Sequence, residues 1–200
     1  MNRLIIIGAG GHGRVCAEIA ELCGYRDIAF LDDILSEKLN IIGRSAEWEQ
    51  YLDDCEFFVA IGNNAVRKEF LEKIIERGGR IATLVHPGSV VSKNAIIEKG
   101  AVVMAGAVVN TDAVIGKGSI VNTCSSVDHD CKIGDYSHIS VGAHLAGTVN
   151  VGICVMIGAG ATVINNVDIC DKCIVGAGAV VKKNIVDCGT YVGVPARKIK

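Results

Sequence analysis

IEKGAVVMAGAVVNTDAVIGKGSIV, residues 97–121, repeats itself every six positions. Ile97, Val103, Val109, Ile115 and Val121 mark the beat. Extended both ways it takes in Val91, Val127, Ile133, Ile139, Leu145, Val151, Ile157, Val163, Ile169, Val175 and Val181, sixteen consecutive Val, Ile or Leu positions. Four places on from each, the residue is small or β-branched: Ala95, Ala101, Ala107, Ala113, Ser119, Ser125, Cys131, Ser137, Ala143, and so on to Ile185. Period six is neither that of an α-helix nor of an alternating strand. It is the hexapeptide signature of a parallel β-helix. Three hexads make one 18-residue turn, with an aliphatic side chain pointing inward at each corner-flanking position and a small residue four places on filling the narrowing interior. Coils then stack at about 4.8 Å, the spacing of paired strands. No insertion is expected between Val91 and Val186, which gives a little over five unbroken coils. Hexad helices of this kind are left-handed, against the usual right-handed crossover rule.

This repeat explains an odd composition. Half of the 200 residues are apolar, yet only 4% are aromatic, with 24 Gly and 2 Pro. Aromatics do not fit a narrow solenoid, and seven of the nine lie in the first 70 residues. Charged residues at 21% and a net charge of −2 exclude a disordered chain and leave no basic footprint for nucleic acid. The glycines lack the three-residue period of collagen. Apolar runs break well before the roughly 20 residues of a membrane span. The opening Met1–Ile7 is too short an apolar run for a signal peptide, so a cytoplasmic location is expected. Nine cysteines, an odd number, then read as reduced thiols. Cys170 and Cys173 form the one CxxC, with no second pair at zinc-ribbon spacing, so no metal is expected. Cys131 and Cys173 occupy the small interior slot and read as packing.

The composition changes near residue 85. Before it, strands and helices alternate: Leu4–Ile7, a glycine loop Gly8-Ala9-Gly10-Gly11-His12-Gly13, a helix over Arg14–Cys23, strands over Ile28–Leu31 and Phe57–Ile61, an amphipathic helix over Ala65–Arg77 and a last strand over Ile81–Val85. This order implies a parallel sheet flanked by helices. The fold expected is therefore an α/β N-terminal Rossmann-like domain over 1–85, followed by a left-handed parallel β-helix over 86–200.

Two places carry chemistry. Gly8-x-Gly10-x-x-Gly13 follows a strand and opens a helix, an arrangement that binds phosphate through backbone amides. Close turn packing is the plainer alternative. Asp32 and Asp33 end the next strand, where acidic residues bind ribose in Rossmann folds, or stand as solvated carboxylates. The domain is short for a whole dinucleotide and fits a mononucleotide better. In the solenoid, residues 18 apart stack, so Thr111, His129, Gly147, Asn165 and Lys183 form one column. His129 should lie one strand spacing from Gly147. Asp130, or a neighbour, can take the Nδ1 proton and leave Nε2 free as a general base. The Gly147 N–H can then serve as an oxyanion donor. The alternative is a solvated surface histidine. His138 and His144, six apart, fall on adjacent faces.

The chain resembles the bacterial sugar acyltransferases that join a small Rossmann-like domain to a left-handed β-helix, above all the UDP-4-amino-sugar N-acetyltransferases of bacillosamine synthesis, with sialic-acid O-acetyltransferases as more distant relatives. The likeness spans the chain. It rests on Gly8–Gly13, Phe30-Leu31-Asp32-Asp33, Ala60-Ile61-Gly62-Asn63-Asn64 with Arg67-Lys68, Asn122–Asp135, Ser137–Ala143 and Gly193–Arg197. The resemblance implies that Gly10, Gly11, His12, Asp32, Asp33, Gly62 and Lys68 hold a UDP-amino-sugar. It implies that His129 is the general base, with Asp130 raising its basicity where the relatives usually carry Glu. It implies that His138 contacts acetyl-CoA, that Gly147 meets the acetyl carbonyl, and that Ala159 and Gly176 line the CoA channel between subunits of a homotrimer. Gly193–Arg197 reads either as a cap on the solenoid or as an edge of that channel.

The reaction expected is direct acetyl transfer from acetyl-CoA to a sugar 4-amino group. Rival readings are O-acetylation of a sugar hydroxyl, a GDP-amino-sugar substrate, a β-helical carbonic anhydrase with zinc on His129, His138 and His144, and a non-catalytic nucleotide-sugar sensor.

Overall fold

The computed structural model describes residues 3–34 and 39–200; Met1 and Asn2, at the head of the stretch read for a leader, lie outside them. Five parallel strands form the N-terminal sheet: β1 (Arg3–Ile7), β2 (Asp27–Leu31), β3 (Ile41–Gly43), β4 (Cys55–Val59) and β5 (Arg80–Ile81), in the order β3-β2-β1-β4-β5. Helices α1 (Gly11–Leu22) and α2 (Asn64–Glu76) connect them, with a 3₁₀ segment over Ser45–Tyr51. Strand residues alternate between two cores. Leu4, Ile6, Phe30 and Phe58 face Ile19 and Ala20 of α1. Ile5, Ile7, Phe57 and Val59 face Trp48, Leu71 and Ile74. Burial on both faces is why these strands read as unbroken apolar runs.

From β6 (Leu84–Val85) to β22 (Val180–Val181) the chain makes seventeen two-residue strands, and each from Leu84–Val85 to Thr162–Val163 pairs in parallel with the strand 18 residues on. They build three sheets, the faces of a triangular prism. The beat residues from Val103 to Val181 point inward and are buried, together with the small slot. This is the Rossmann-like domain followed by a left-handed parallel β-helix. A second period accompanies the first. Every sixth residue from Gly100 to Gly178 has φ between 54° and 75°, eight of them not glycine, Asp130 and Tyr136 included. This left-handed residue makes each corner.

Two expectations are corrected. The single strand over Ile81–Val85 is two: Arg80–Ile81 completes the N-terminal sheet, and Leu84–Val85 pairs with Val102–Val103 in the solenoid. Two β-rich pairs with a short break read as one run, but only hydrogen-bond partners 18 residues on make the second a coil. The hexad count also fails before Val186. Ile169 bridges Ile185, and Ile174 pairs with Thr190, both 16 apart. The last coil is two residues short, and Thr190–Val192 with the antiparallel Arg197–Lys198 closes the end.

The sheet bearing Leu84, Val102, Ile120, His138, Met156 and Ile174 is the one that meets the N-terminal domain. Leu84, Val102, Met104 and Ile120 are buried in the core beneath α1. Each such side chain contributes roughly 1.5–3 kcal/mol of burial before entropy. Farther along the same face Ile174 is 47% exposed. His138 stands where cover gives way to solvent.

Candidate active site

The crevice of the N-terminal domain follows from its strand order. β1 and β4 are neighbours whose connections leave in opposite directions, and ligands of open α/β sheets bind beyond the carboxyl ends at that switch point. The loops there are Gly8–Gly13 and Ala60–Asn64. They approach so closely that a Cβ on Gly8, at φ 103°, would stand 2.8 Å from the Ala60 carbonyl oxygen. Gly10 caps α1 without any side-chain bond, and Gly10 and Gly11 are exposed, which leaves the helix N-terminus open to an anion. The start of α2 differs. The Asn63 side chain accepts from Ala65 N and Val66 N and closes it. Gly62, exposed, borders the same crevice.

Asp32 is occupied with the backbone. Its Oδ2 accepts from Ala9 N at 2.6 Å and its Oδ1 from Ile34 N at 2.8 Å, so it shapes the glycine loop. Asp33 Oδ1 accepts from Ser45 N at 3.3 Å. Lys68 lies on α2 toward the solenoid, 3.9 Å from Glu72 and 5.8 Å from the Tyr136 ring centroid. With Asn63, Asn64, Cys154, Met156 and Lys172 it lines an open cavity of about 490 Å³.

His12 and His138 belong to the junction. His12 lies in the first turn of α1, with Cys16 Sγ 3.8 Å from its Nε2. Burial, and then the charge of Arg67, lowers the His12 pKa to about 4. His138 is lowered to about 3, by burial first and then by Arg67 and His12. Both imidazoles are neutral at pH 7. Asn122 fixes the tautomer of His138: its Oδ1 accepts from Thr123 N, so its Nδ2 donates to His138 Nε2 at 2.9 Å. Among the described residues the buried Nδ1–H of His138 has no acceptor, which leaves it a donor ready for a ligand.

His129 is different. It sits on the turn between Ser126–Val127 and Lys132–Ile133, the prism edge opposite the face that carries His138. Its side chain is 53% exposed, and Nδ1 lies 2.8 Å from Asp130 Oδ2. That bond raises its pKa. Asp130 reaches back because it occupies the left-handed corner, φ 59°. Asp128 serves the backbone. Its Oδ1 accepts from His129 N at 2.8 Å and from Asn110 Nδ2 at 2.7 Å, which lowers its pKa. Asn110 was not singled out in the sequence; its signal was the column position 18 before Asp128.

The stacking prediction for Gly147 holds. A Cβ there would lie 2.5 Å from both Cε1 and Nε2 of His129, so only glycine admits the ring. Among the described residues the Gly147 N–H makes no backbone hydrogen bond, while its neighbours Ala146 and Thr148 both do.

The cofactor-binding candidates fall into two places. Gly147 shares the edge of His129. Ala159, exposed, and Gly176, half-buried, share the edge that follows the His138 face. His144 Nδ1 lies 2.9 Å from Ser126 Oγ on a third position, and among the described residues no three His, Cys, Asp or Glu side chains gather as a metal site.

Residues 3–74 match the PglD N-terminal domain family. The whole chain superposes on the acetyltransferase domain of PglB from Neisseria gonorrhoeae, solved in complex with acetyl coenzyme A, with TM-score 0.95 and 40% identity over 100% of both chains. The chain belongs to the bacterial sugar acyltransferases. A second member of that family, PerB from Caulobacter crescentus in complex with CoA and GDP-perosamine, superposes with TM-score 0.95 and 35% identity, over 100% of this chain and 98% of that one. Among curated sugar acyltransferases, the UDP-N-acetylbacillosamine N-acetyltransferase of Bacillus subtilis is 39% identical over 116 residues, and the match spans about half of each protein, 52%. Among the described residues no helix is long and apolar enough to cross a membrane.

Proposed function

We propose that the chain is an acetyl-CoA-dependent N-acetyltransferase acting on the 4-amino group of a UDP-4-amino-4,6-dideoxy sugar, and that it works as a cytoplasmic homotrimer. The observation that carries this reading is the edge where the His129 imidazole lies between the Asp130 carboxylate and the bare backbone of Gly147. Asp130 accepts the Nδ1–H and leaves Nε2 to take a proton. The sugar amine attacks the thioester carbonyl of acetyl-CoA, and Nε2 removes its proton. The Gly147 N–H stabilises the tetrahedral oxyanion. Collapse breaks the C–S bond, and the imidazolium returns the proton to the departing CoA thiolate. No covalent enzyme intermediate forms.

The remaining candidates take roles around this step. Gly10 and Gly11 give the open start of α1 to the diphosphate, His12 and Gly62 border the sugar, and Asp32 and Asp33 hold the loop. Lys68 stands at the mouth of the junction. His138 donates its Nδ1–H to the cofactor, whose chain runs past Ala159 and Gly176. The location of His129 supports the trimer: the edge opposite the N-terminal domain meets a crevice only when a second copy supplies it. The relatives solved with acetyl coenzyme A or with CoA and GDP-perosamine support the cofactor and the substrate class.

A second nucleotide is favoured by one finding, because a GDP-perosamine N-acetyltransferase of Escherichia coli is 33% identical over 118 residues. The test is a panel of UDP- and GDP-linked 4-amino sugars with their 4-hydroxy counterparts, read by thiol release from acetyl-CoA. Turnover of a UDP-amino-sugar above the rest is expected. Turnover of the hydroxy sugars alone, or of none, overturns the reading.

A further inference from the structure

Arg67 is 1% exposed and yet charged. Its five N–H donors find five acceptors, none of them a carboxylate. Nη1 donates to Ile61 O at 2.8 Å and Gly62 O at 3.2 Å, on the loop after β4. Nε donates to Gly118 O at 2.7 Å, and Nη2 to Tyr136 O at 2.7 Å, on successive coils of the solenoid. Nη2 also donates to Asn64 Oδ1 at 2.8 Å, and Asn64 Nδ2 donates to Val155 O at 3.1 Å, one coil farther. One guanidinium and one amide thus tie the crevice loop to three consecutive coils. A buried cation with no carboxylate partner among the described residues is a costly way to join two domains, since a hydrophobic side chain of similar volume commonly stabilises as well or better. What the planar fork adds is orientation: five fixed bonds admit one relative placement of the parts they join.

We propose that Arg67 is a positioning residue for the nucleotide-sugar, holding the Ile61–Gly62 edge of the crevice in fixed register with the His138 face of the solenoid. This rests on the substrate class proposed above. Burial lowers the pKa of His12 and of His138, and the Arg67 charge adds to both shifts. Arg67 touches neither substrate nor thioester in this account. It acts through the loop, and a shift of about 1 Å there costs on the order of 10²-fold in rate.

The test compares Arg67→Lys and Asn64→Ala with the wild type and with Leu71→Val, which loosens packing at the same junction, where Leu71 meets Gly100 and Gly118. Three quantities are measured: KM for the preferred amino-sugar and for acetyl-CoA, Kd for UDP and GDP by calorimetry, and Tm. Arg67→Lys should raise the sugar KM about 10-fold or more and weaken nucleotide binding, with the acetyl-CoA KM within about 2-fold. Asn64→Ala should do the same to a smaller degree, and answers the question if Arg67→Lys does not fold. Leu71→Val should lower Tm alone. Wild-type sugar KM and nucleotide Kd in both polar variants overturns the proposal, as does an equal KM rise in Leu71→Val or a wild type that binds neither nucleotide. A wild type that binds nucleotide but transfers no acetyl group overturns the substrate reading instead, and the calorimetric comparison still decides the role of Arg67.

Discussion

His129 and His138 stand nine residues apart, half a coil of one solenoid, and the fold gives them opposite chemistry. His129 lies on a bare prism edge, half exposed, with a carboxylate on Nδ1 and a raised pKa. His138 lies on the covered face, with an amide donating to Nε2, an arginine nearby and a pKa lowered to about 3. One is suited to take a proton at neutral pH, the other only to donate its fixed N–H. The difference lies in what covers each face. Val102, Met104 and Ile120 draw the N-terminal domain onto one face, and among the described residues the opposite edge stays open, with the His129 and Asp130 side chains more than half exposed.

The contrast can be broken from either side. The largest effect is expected from His129→Ala, which should lower kcat by roughly 10²–10⁴ with Tm unchanged; undiminished turnover removes the general base from the account. Gly147→Ala comes next. Its Cβ would displace the imidazole, so kcat should fall on the order of 10²-fold while the acetyl-CoA KM moves little. His138→Ala should spare kcat relatively and raise the acetyl-CoA KM by about 3–10-fold, the value of one hydrogen bond; a kcat loss equal to that of His129→Ala would erase the distinction. Asp130→Asn gives the smallest change in rate and the most specific one in pH. The base must be deprotonated, and its pKa is raised by Asp130, so wild-type kcat/KM should rise with pH through a value above the ordinary 6.5. In Asp130→Asn that acid limb should move to lower pH while the plateau falls. An unmoved limb means Asp130 does not act on His129.

Much of this was legible in the sequence, and the boundary is physical. Hexad spacing fixes an 18-residue stack, so His129 over Gly147 followed from arithmetic alone. The edge that carries them was legible for the same reason. The covered face was not. The outward residues Val102 and Ile120, apolar beside an already apolar beat, were the available signal that something packs there. Arg67 could be quoted as part of a motif, but its partners are mostly backbone carbonyls, which leave no trace in residue identity. Asp32 read either as a ribose ligand or as a solvated carboxylate from its place after β2, and its bonds to Ala9 N and Ile34 N depend on the conformation of the glycine loop, which residue identity does not show. The corner residues were hidden too, since a left-handed φ every six residues is borne by Gly, Asp, Cys, Tyr, Thr, Asn and Lys alike.

In the proposed homotrimer the base of one chain serves the crevice of another. Co-expression of two inactive chains tests it directly. One is His129→Ala. The other is Gly10→Trp, which fills the crevice without strain, because Gly10 has φ −66° and no atom within 4 Å of an added Cβ. Random assortment into symmetric trimers pairs a working edge with a working crevice at about a quarter of the sites. The account predicts about a quarter of wild-type turnover from the mixture and almost none from either chain alone. A mixture as inactive as its components, with mixed trimers verified, contradicts it.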